Sequence, residues 1–178
     1  MSVADSVGSN RTATATQAIS KKMVRTTMES LDRIDRDILA LLQAEGRLTG
    51  AEVGRRVGLS QPAASARIQR LEKNGVITGY RADVDPAALG LNIHAILRLR
   101  TTHAQLPRAL DLASRIPEVV STLRVTGEDC LIFDVHCPQA GRLEEVVDAL
   151  ARYGPATTSL VLRAYPTKPL TGTTSTTS

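Results

Sequence analysis

From Asp32 onward, aliphatic residues return at intervals of three and four: Ile34, Ile38, Leu41 and Leu42 form the stripe of an amphipathic helix. Asp32 is placed to cap that helix, and Asp35 adds negative charge to its first turn. A second helix is predicted from "TGAE", where Thr49 and Glu52 have capping-box spacing; it turns Val53 and Val57 inward and ends at Gly58. Only Gly58, Leu59 and Ser60 separate it from a third helix, which Ser60 caps and Gly75 stops. Pro62 is tolerated there because first-turn amides have no helical partner. In the third helix Ala64, Ile68 and Leu71 face a core, leaving Gln61, Ser65, Arg67, Gln69, Arg70 and Lys73 on or near the outside. Short helices joined by so tight a turn make a helix-turn-helix unit.

The period then changes. After the turn-rich "TGYRADVDPAALG", the stretch "LNIHAILRLR" alternates Leu91, Ile93, Ala95, Leu97 and Leu99 with mostly polar neighbours, as a half-buried strand does. A helix carrying Leu106, Leu110, Ala113 and Ile116 ends at Pro117, and the strands "VVSTLRVTG" and "CLIFDVHC" follow, joined by a turn at Gly127 to Asp129. A second helix holds Leu143, Val146, Val147 and Leu150 and stops near Gly154; "SLVLRAY" is expected as the last strand. The fold class is therefore α+β, its second part a ferredoxin-like βαββαβ sheet with both helices on one face. Apolar residues on both strand faces (Ile96 beside Leu97, Ile132 beside Phe133, Val161 beside Leu162) predict a cover for the other face. With no element left in the chain to supply it, the expected cover is a second copy, making a homodimer.

Composition adds boundaries. Residues 1–28 are rich in Ser, Thr and Ala without periodicity and are expected to be a disordered tail, as is the polar end, 170–178. Met23 and Met28 stand just before the patterned region, and Met28 is a candidate translation start. Between the tails, 29–81 form the helix-turn-helix domain, 82–90 a linker and 91–169 the ferredoxin-like domain. No apolar run approaches the roughly 20 residues of a membrane span, and the first residues lack a secretory core, so no membrane is involved and a cytoplasmic location is expected.

The net charge of +4 is unevenly spread. Residues 47–81 hold seven Lys and Arg against Glu52 and Glu72, a local +5, whereas 101–170 hold seven bases against eight acids. Positive charge concentrated on the helical part fits a polyanionic partner, and a small-residue run (Ala63, Ala64, Ser65, Ala66) would let a helix end approach base edges in a major groove about 12 Å wide. On this reading Ser60 and Gln61 lie where the helix start meets phosphate or base. Ser65 and Arg67 read bases, with Gln69 alongside, and Arg70 and Lys73 hold the backbone.

Other chemistries find less support. Cys130 and Cys137 share a strand but point to opposite faces, so they cannot bridge within it. His136 beside Cys137 lacks a second pair at ligand spacing, and no metal site or cofactor is expected. His94, His103 and His136 accompany no recognisable nucleophile or phosphate-cradling loop, so the chain is not read as an enzyme. An RNA platform needs exposed aromatics, and only Tyr80, Phe133, Tyr153 and Tyr165 exist. A metabolite sensor whose front helices bind a protein is the remaining rival.

The run from "LDRIDRDILALLQAEG" through "DVDPAALG" resembles the front half of the Lrp/AsnC, or feast/famine, transcriptional regulators, most specifically in "GLS" followed by "ARIQRLEKNGVI". "VTGEDCLIFDV" is similar to the same family's glycine turn, so the resemblance spans residues 31–169. It implies a winged helix-turn-helix joined to a ligand-sensing domain, assembled as dimers and often tetramers or octamers on double-stranded DNA. It also implies an amino-acid effector that alters assembly and DNA contacts, and control of amino-acid metabolism genes. The matching turn makes Thr126, Gly127, Glu128 and Asp129 the effector-binding candidates. That turn commonly ends in an aspartate three positions after the glycine; this chain has Cys130 there and Asp129 one place earlier.

Overall fold

The computed structural model describes residues 31–171, which divide into two compact units: 31–81 with 168–171, and 82–167. The tail expected over 1–28, the candidate start at Met28 and most of the tail expected over 170–178 lie outside the described residues.

The first unit is helical. Helix α1 (Arg33–Ala44) starts where the Asp32 carboxylate accepts the Asp35 amide at 2.7 Å, and it buries Asp35, Ile38 and Leu42. Helix α2 (Gly50–Val57) has the expected capping box: Thr49 Oγ1 accepts the Glu52 amide, and Glu52 Oε2 accepts the Thr49 amide at 2.7 Å. Helix α3 (Gln61–Lys73) buries Ala64 and Leu71, with Ile68 half-buried against the same cluster. Ile38, Leu42, Val53, Ala64 and Leu71 form the core, to which a fully buried aliphatic side chain contributes about 1.5–3 kcal/mol.

After α3, the Val76 and Ile77 amides both donate to Leu71 O, and Tyr80 donates to Glu72 Oε1 at 2.9 Å. The segment in the wing's place, 76–81, is thereby tied back to α3; it pairs with no strand among the described residues. Leu170 joins this unit too, its amide donating to Gln43 Oε1 at 2.7 Å.

The second unit opens with a short turn at Pro86–Leu89, inside the expected linker, and continues as β1 (Ile93–Leu99), α4 (Leu106–Arg115), β2 (Val119–Arg124), β3 (Leu131–Cys137), α5 (Ala140–Ala151) and β4 (Ala156–Leu160). Strand order is β2-β3-β1-β4, antiparallel throughout. Ala95, Leu97 and Leu99 of β1 and Leu131, Phe133, Val135 and Cys137 of β3 are buried with Ala109 of α4 and Val146 and Leu150 of α5. Because the chain's one Phe faces this core, it is lost to any base-stacking platform. Cys137 lies in the core and Cys130 just before β3, both as free thiols.

Several expected strand limits move, the last strand's furthest. The last strand is not "SLVLRAY" but Ala156–Leu160, paired to β1 with Ala95 opposite Leu160 and Leu99 opposite Ala156. The β-branched Thr157 and Thr158 carry the ladder, a choice that apolar alternation does not reveal, and Leu162 beyond it is almost wholly exposed.

Gly154 fixes where α5 hands over to β4. Its φ is 147°, and a Cβ there would strike the Arg100 carbonyl oxygen, because Thr101 Oγ1 donates to Tyr153 O and the Arg100 amide to Pro155 O. Gly154→Ala should therefore cost about 2 kcal/mol through overpacking and an unfavourable φ, read as a lower urea midpoint with unchanged slope. An unchanged midpoint would show that this loop yields freely.

Candidate nucleic-acid interface and effector cleft

The helix-turn-helix is as tight as its spacing implies. Leu59 N donates to Gly54 O at 2.8 Å, and a Cβ on Gly54 would lie only 2.7 Å from Leu59 O. The bare backbone of Gly54 lets α2 and the turn close on each other and so sets the direction in which α3 leaves.

Ser60 has the extended backbone of an N-cap, but its hydroxyl accepts no amide of α3, contrary to expectation. Ser60 and Gln61 are exposed, so this helix start combines an uncommitted hydroxyl with first-turn amides, the groups that bind phosphate oxygens. Behind it, Pro62, Ala63, Ala66, Gln69, Arg70 and Lys73 form the exposed face.

Two of the expected base readers are occupied elsewhere. Ser65 is half-buried with its hydroxyl against α2, where a Cβ on Gly50 would collide with it. Arg67 Nη1 donates to Asp32 Oδ2 at 2.6 Å and to Asp35 Oδ1 at 2.9 Å, leaving its side chain 29% exposed. Arg70 Nη2 donates to both oxygens of Asp35, at 2.8 and 2.6 Å, although 45% of its side chain still meets solvent. The sequence places Ser65 and Arg67 on or near the outside, whereas the structure turns both towards neighbouring helices. A buried carboxylate, 2% exposed, holds both guanidiniums because an unpaired charge there would be costly. Arg67 thus braces α3 against α1, Arg70 is shared between that role and the surface, and Gln69 and Lys73 remain outward as expected.

Sequence reasoning named Asp32 and Asp35 only for the start of α1 and missed their pairing with α3. Asp35 sits at the spacing of Ile38 and Leu42, on the inward stripe. A carboxylate in an apolar stripe signals a cationic partner from another helix.

The Arg67 hydrogen bond, followed by the Asp35 amide, holds the Asp32 carboxyl below its ordinary 3.8. The Thr49 amide and hydroxyl do the same for Glu52 below its ordinary 4.5. Reciprocally, Asp32 and then Asp35 raise Arg67. A lowered carboxyl stabilises the fold above its unfolded value, and the contribution is lost as pH falls through the folded value. The first unit should therefore keep a constant urea midpoint at pH 5 to 7 and weaken below about 4, with a shallower fall in Asp32→Asn. Parallel curves for the two proteins would remove Asp32 from this linkage.

In the second unit a cleft of ≈ 310 Å³ opens beside the glycine turn, lined by Thr101, His103, Leu106, Arg124, Thr126, Gly127 and Cys130 among others. Of the four turn candidates, Thr126 and Gly127 face it; Glu128 and Asp129 are not among its lining residues. Glu128 accepts from Arg100 at 2.7 Å, and Asp129 lies 4.0 Å from Arg98 Nε. Cys130 is held inside by the Thr101 amide (3.3 Å to Sγ) and by its own contact to the Thr101 carbonyl. The cleft thus offers one guanidinium, one imidazole, hydroxyls and an apolar wall, a donor-rich lining suited to a small carboxylate. Arg124 and His103 were missed because they approach the turn from a strand end and the loop before α4.

The comparisons with known proteins match both units. Residues 31–78 match the winged helix-turn-helix DNA-binding family, and residues 94–170 match the Lrp/AsnC ligand binding domain. The transcriptional regulator YezC of Bacillus subtilis is 35% identical over 132 residues, 74% of this chain and 94% of that protein. The solved structure of B. subtilis LrpC superposes with a TM-score of 0.73 at 27% identity, covering 78% of this chain and 99% of that one. The Neisseria meningitidis regulator NMB0573, solved as an L-Met complex, does so with a TM-score of 0.73 at 29% identity over 80% and 97% of the two chains. No helix among the described residues is long and apolar enough to cross a membrane. With a helix-turn-helix unit and a ligand-binding unit in one polypeptide, the chain belongs to the Lrp/AsnC family of DNA-binding transcriptional regulators, and it is not an enzyme.

Proposed function

We propose that this regulator binds double-stranded operator DNA in the cytoplasm as a homodimer, itself able to build tetramers or octamers, and that an amino acid seated in the cleft beside Gly127 shifts its assembly. The observation that carries the DNA reading is the exposed face of α3. Two alanines and an uncommitted helix start stand in front, with Gln69 and Lys73 behind, while Arg67 is held inward by Asp32 and Asp35. Base reading then falls to the small front face with Gln61 and Gln69, and backbone contacts to Ser60, Arg70 and Lys73.

Two copies presenting α3 to successive major grooves would place half-sites roughly 10 base pairs apart, or a multiple of that. The open sheet face supports self-association: Ile96 and Ile132 lie on it half-buried, and Leu123 beside them is 56% exposed. Arg124 and His103 supply the chemistry for an α-carboxylate, and the Neisseria relative's L-Met complex supports that class of effector. Coupling between cleft and assembly is expected at about 1 to 3 kcal/mol, and it requires different affinity for the two states.

Selection of binding sites from random duplex DNA, repeated with each amino acid and followed by light scattering, tests the reading. An enriched palindrome and an effector-dependent change in assembly are expected; no enriched sequence defeats it. On the selected operator, Lys73→Ala should weaken binding several-fold for every sequence alike and reduce the salt slope by about 1, as loss of one phosphate contact does. A changed base preference with an unchanged slope would instead make Lys73 a base reader.

A further inference from the structure

A side-chain cluster on the open face of the sheet belongs to neither site. His94 of β1 lies opposite His136 of β3, their rings stacked with centroids 4.1 Å apart and planes 14° from parallel. Asp134, two residues along β3 on the same face, receives His94 Nε2 at 2.7 Å from Oδ1 and lies 3.4 Å from His136 Nε2. Candidate ligand atoms of the three residues all fall within 4.8 Å of one another, and all three side chains are half-buried.

We propose that His94, Asp134 and His136 form a binding site for a divalent transition-metal ion of borderline softness, such as Zn2+. Two imidazoles and a carboxylate are the donor set that such ions take, at about 2.0 to 2.2 Å per bond. Ligand atoms around a tetrahedral ion then lie about 3.3 Å apart, so no separation in the cluster has to change by more than about 1.5 Å. Rotation of half-buried side chains on a rigid strand pair supplies that adjustment.

Within one chain, the hydrogen bonding of the cluster is incomplete. His136 Nδ1 is buried with no partner, and its Nε2 stands beyond good hydrogen-bond reach of Asp134, so the protein satisfies neither ring nitrogen well. Asp134 is not spent on a surface cation either: Arg98, the base on the same strand face, approaches Asp129. Cys137 points into the core and takes no part. Three protein donors leave a fourth coordination position open.

The test uses the full untagged chain, stripped with chelator. Co2+ titration should give the absorption bands of a four- or five-coordinate ion, Zn2+ should displace it, and calorimetry should return one ion per chain. His94→Gln and Asp134→Asn, each checked for a native circular dichroism spectrum, should weaken Zn2+ at least about tenfold. No saturable binding by the wild type, or binding that survives both substitutions, overturns the proposal.

Discussion

Replacing Asp35 with alanine should cost the helix-turn-helix unit about 3 kcal/mol, the lower end of the range for breaking a buried ion pair. The lower end applies because Asp35 itself is 2% exposed, whereas its partners Arg67 and Arg70 reach solvent and recover part of the loss by hydration. The substitution removes three hydrogen bonds of 2.6 to 2.9 Å and leaves two guanidiniums facing a hole between α1 and α3. Urea unfolding followed by helical circular dichroism should show the first transition at lower denaturant. Asp35→Asn, which keeps the shape, should fall between the two proteins. A variant that unfolds with the wild type would mean that the triad contributes nothing and that both arginines are available to DNA.

Ala66→Glu should abolish specific DNA binding, with a loss of more than about a hundredfold, or about 3 kcal/mol, while the fold is retained. Ala66 is exposed in the middle of the outward face of α3, and glutamate is nearly as good a helix former, so stability should hardly change. Against a duplex, the longer side chain fills the space that lets α3 approach and brings a negative charge towards phosphates. Fluorescence anisotropy on the selected operator provides the measurement, with thermal unfolding as control. Wild-type affinity in this variant would place the contact surface elsewhere on the unit.

How far the sequence could be read depended on whether the information was local. Caps at Asp32 and Thr49, the turn at Gly58 and the strand-helix alternation after residue 90 are set by residues a few positions apart, and the structure has each of them. The failures involve partners far apart in sequence. Arg67 reads as a free cation on α3 until Asp32 and Asp35, more than thirty positions earlier, are brought against it. His136 reads as a ring with only Cys137 beside it until pairing of β1 with β3 sets His94 opposite it. Ser60 has the residue type and backbone of a cap without the bond, a distinction no spacing encodes. Of the turn residues named by resemblance only Thr126 and Gly127 line the cleft, and Arg124 and His103 join them because the fold alone brings a strand end and a loop to the same opening.

The brace between α1 and α3 also bears on redesign. Transplanting α3 from a regulator with other operator preferences is a common route to altered targeting, yet here positions 67 and 70 answer to a carboxylate two helices upstream. A donor helix carrying neutral residues at both positions would strand Asp35 in the interior, and the chimera would fail by misfolding before its new specificity could be assayed. Moving α1 and α3 together as one cassette avoids that failure.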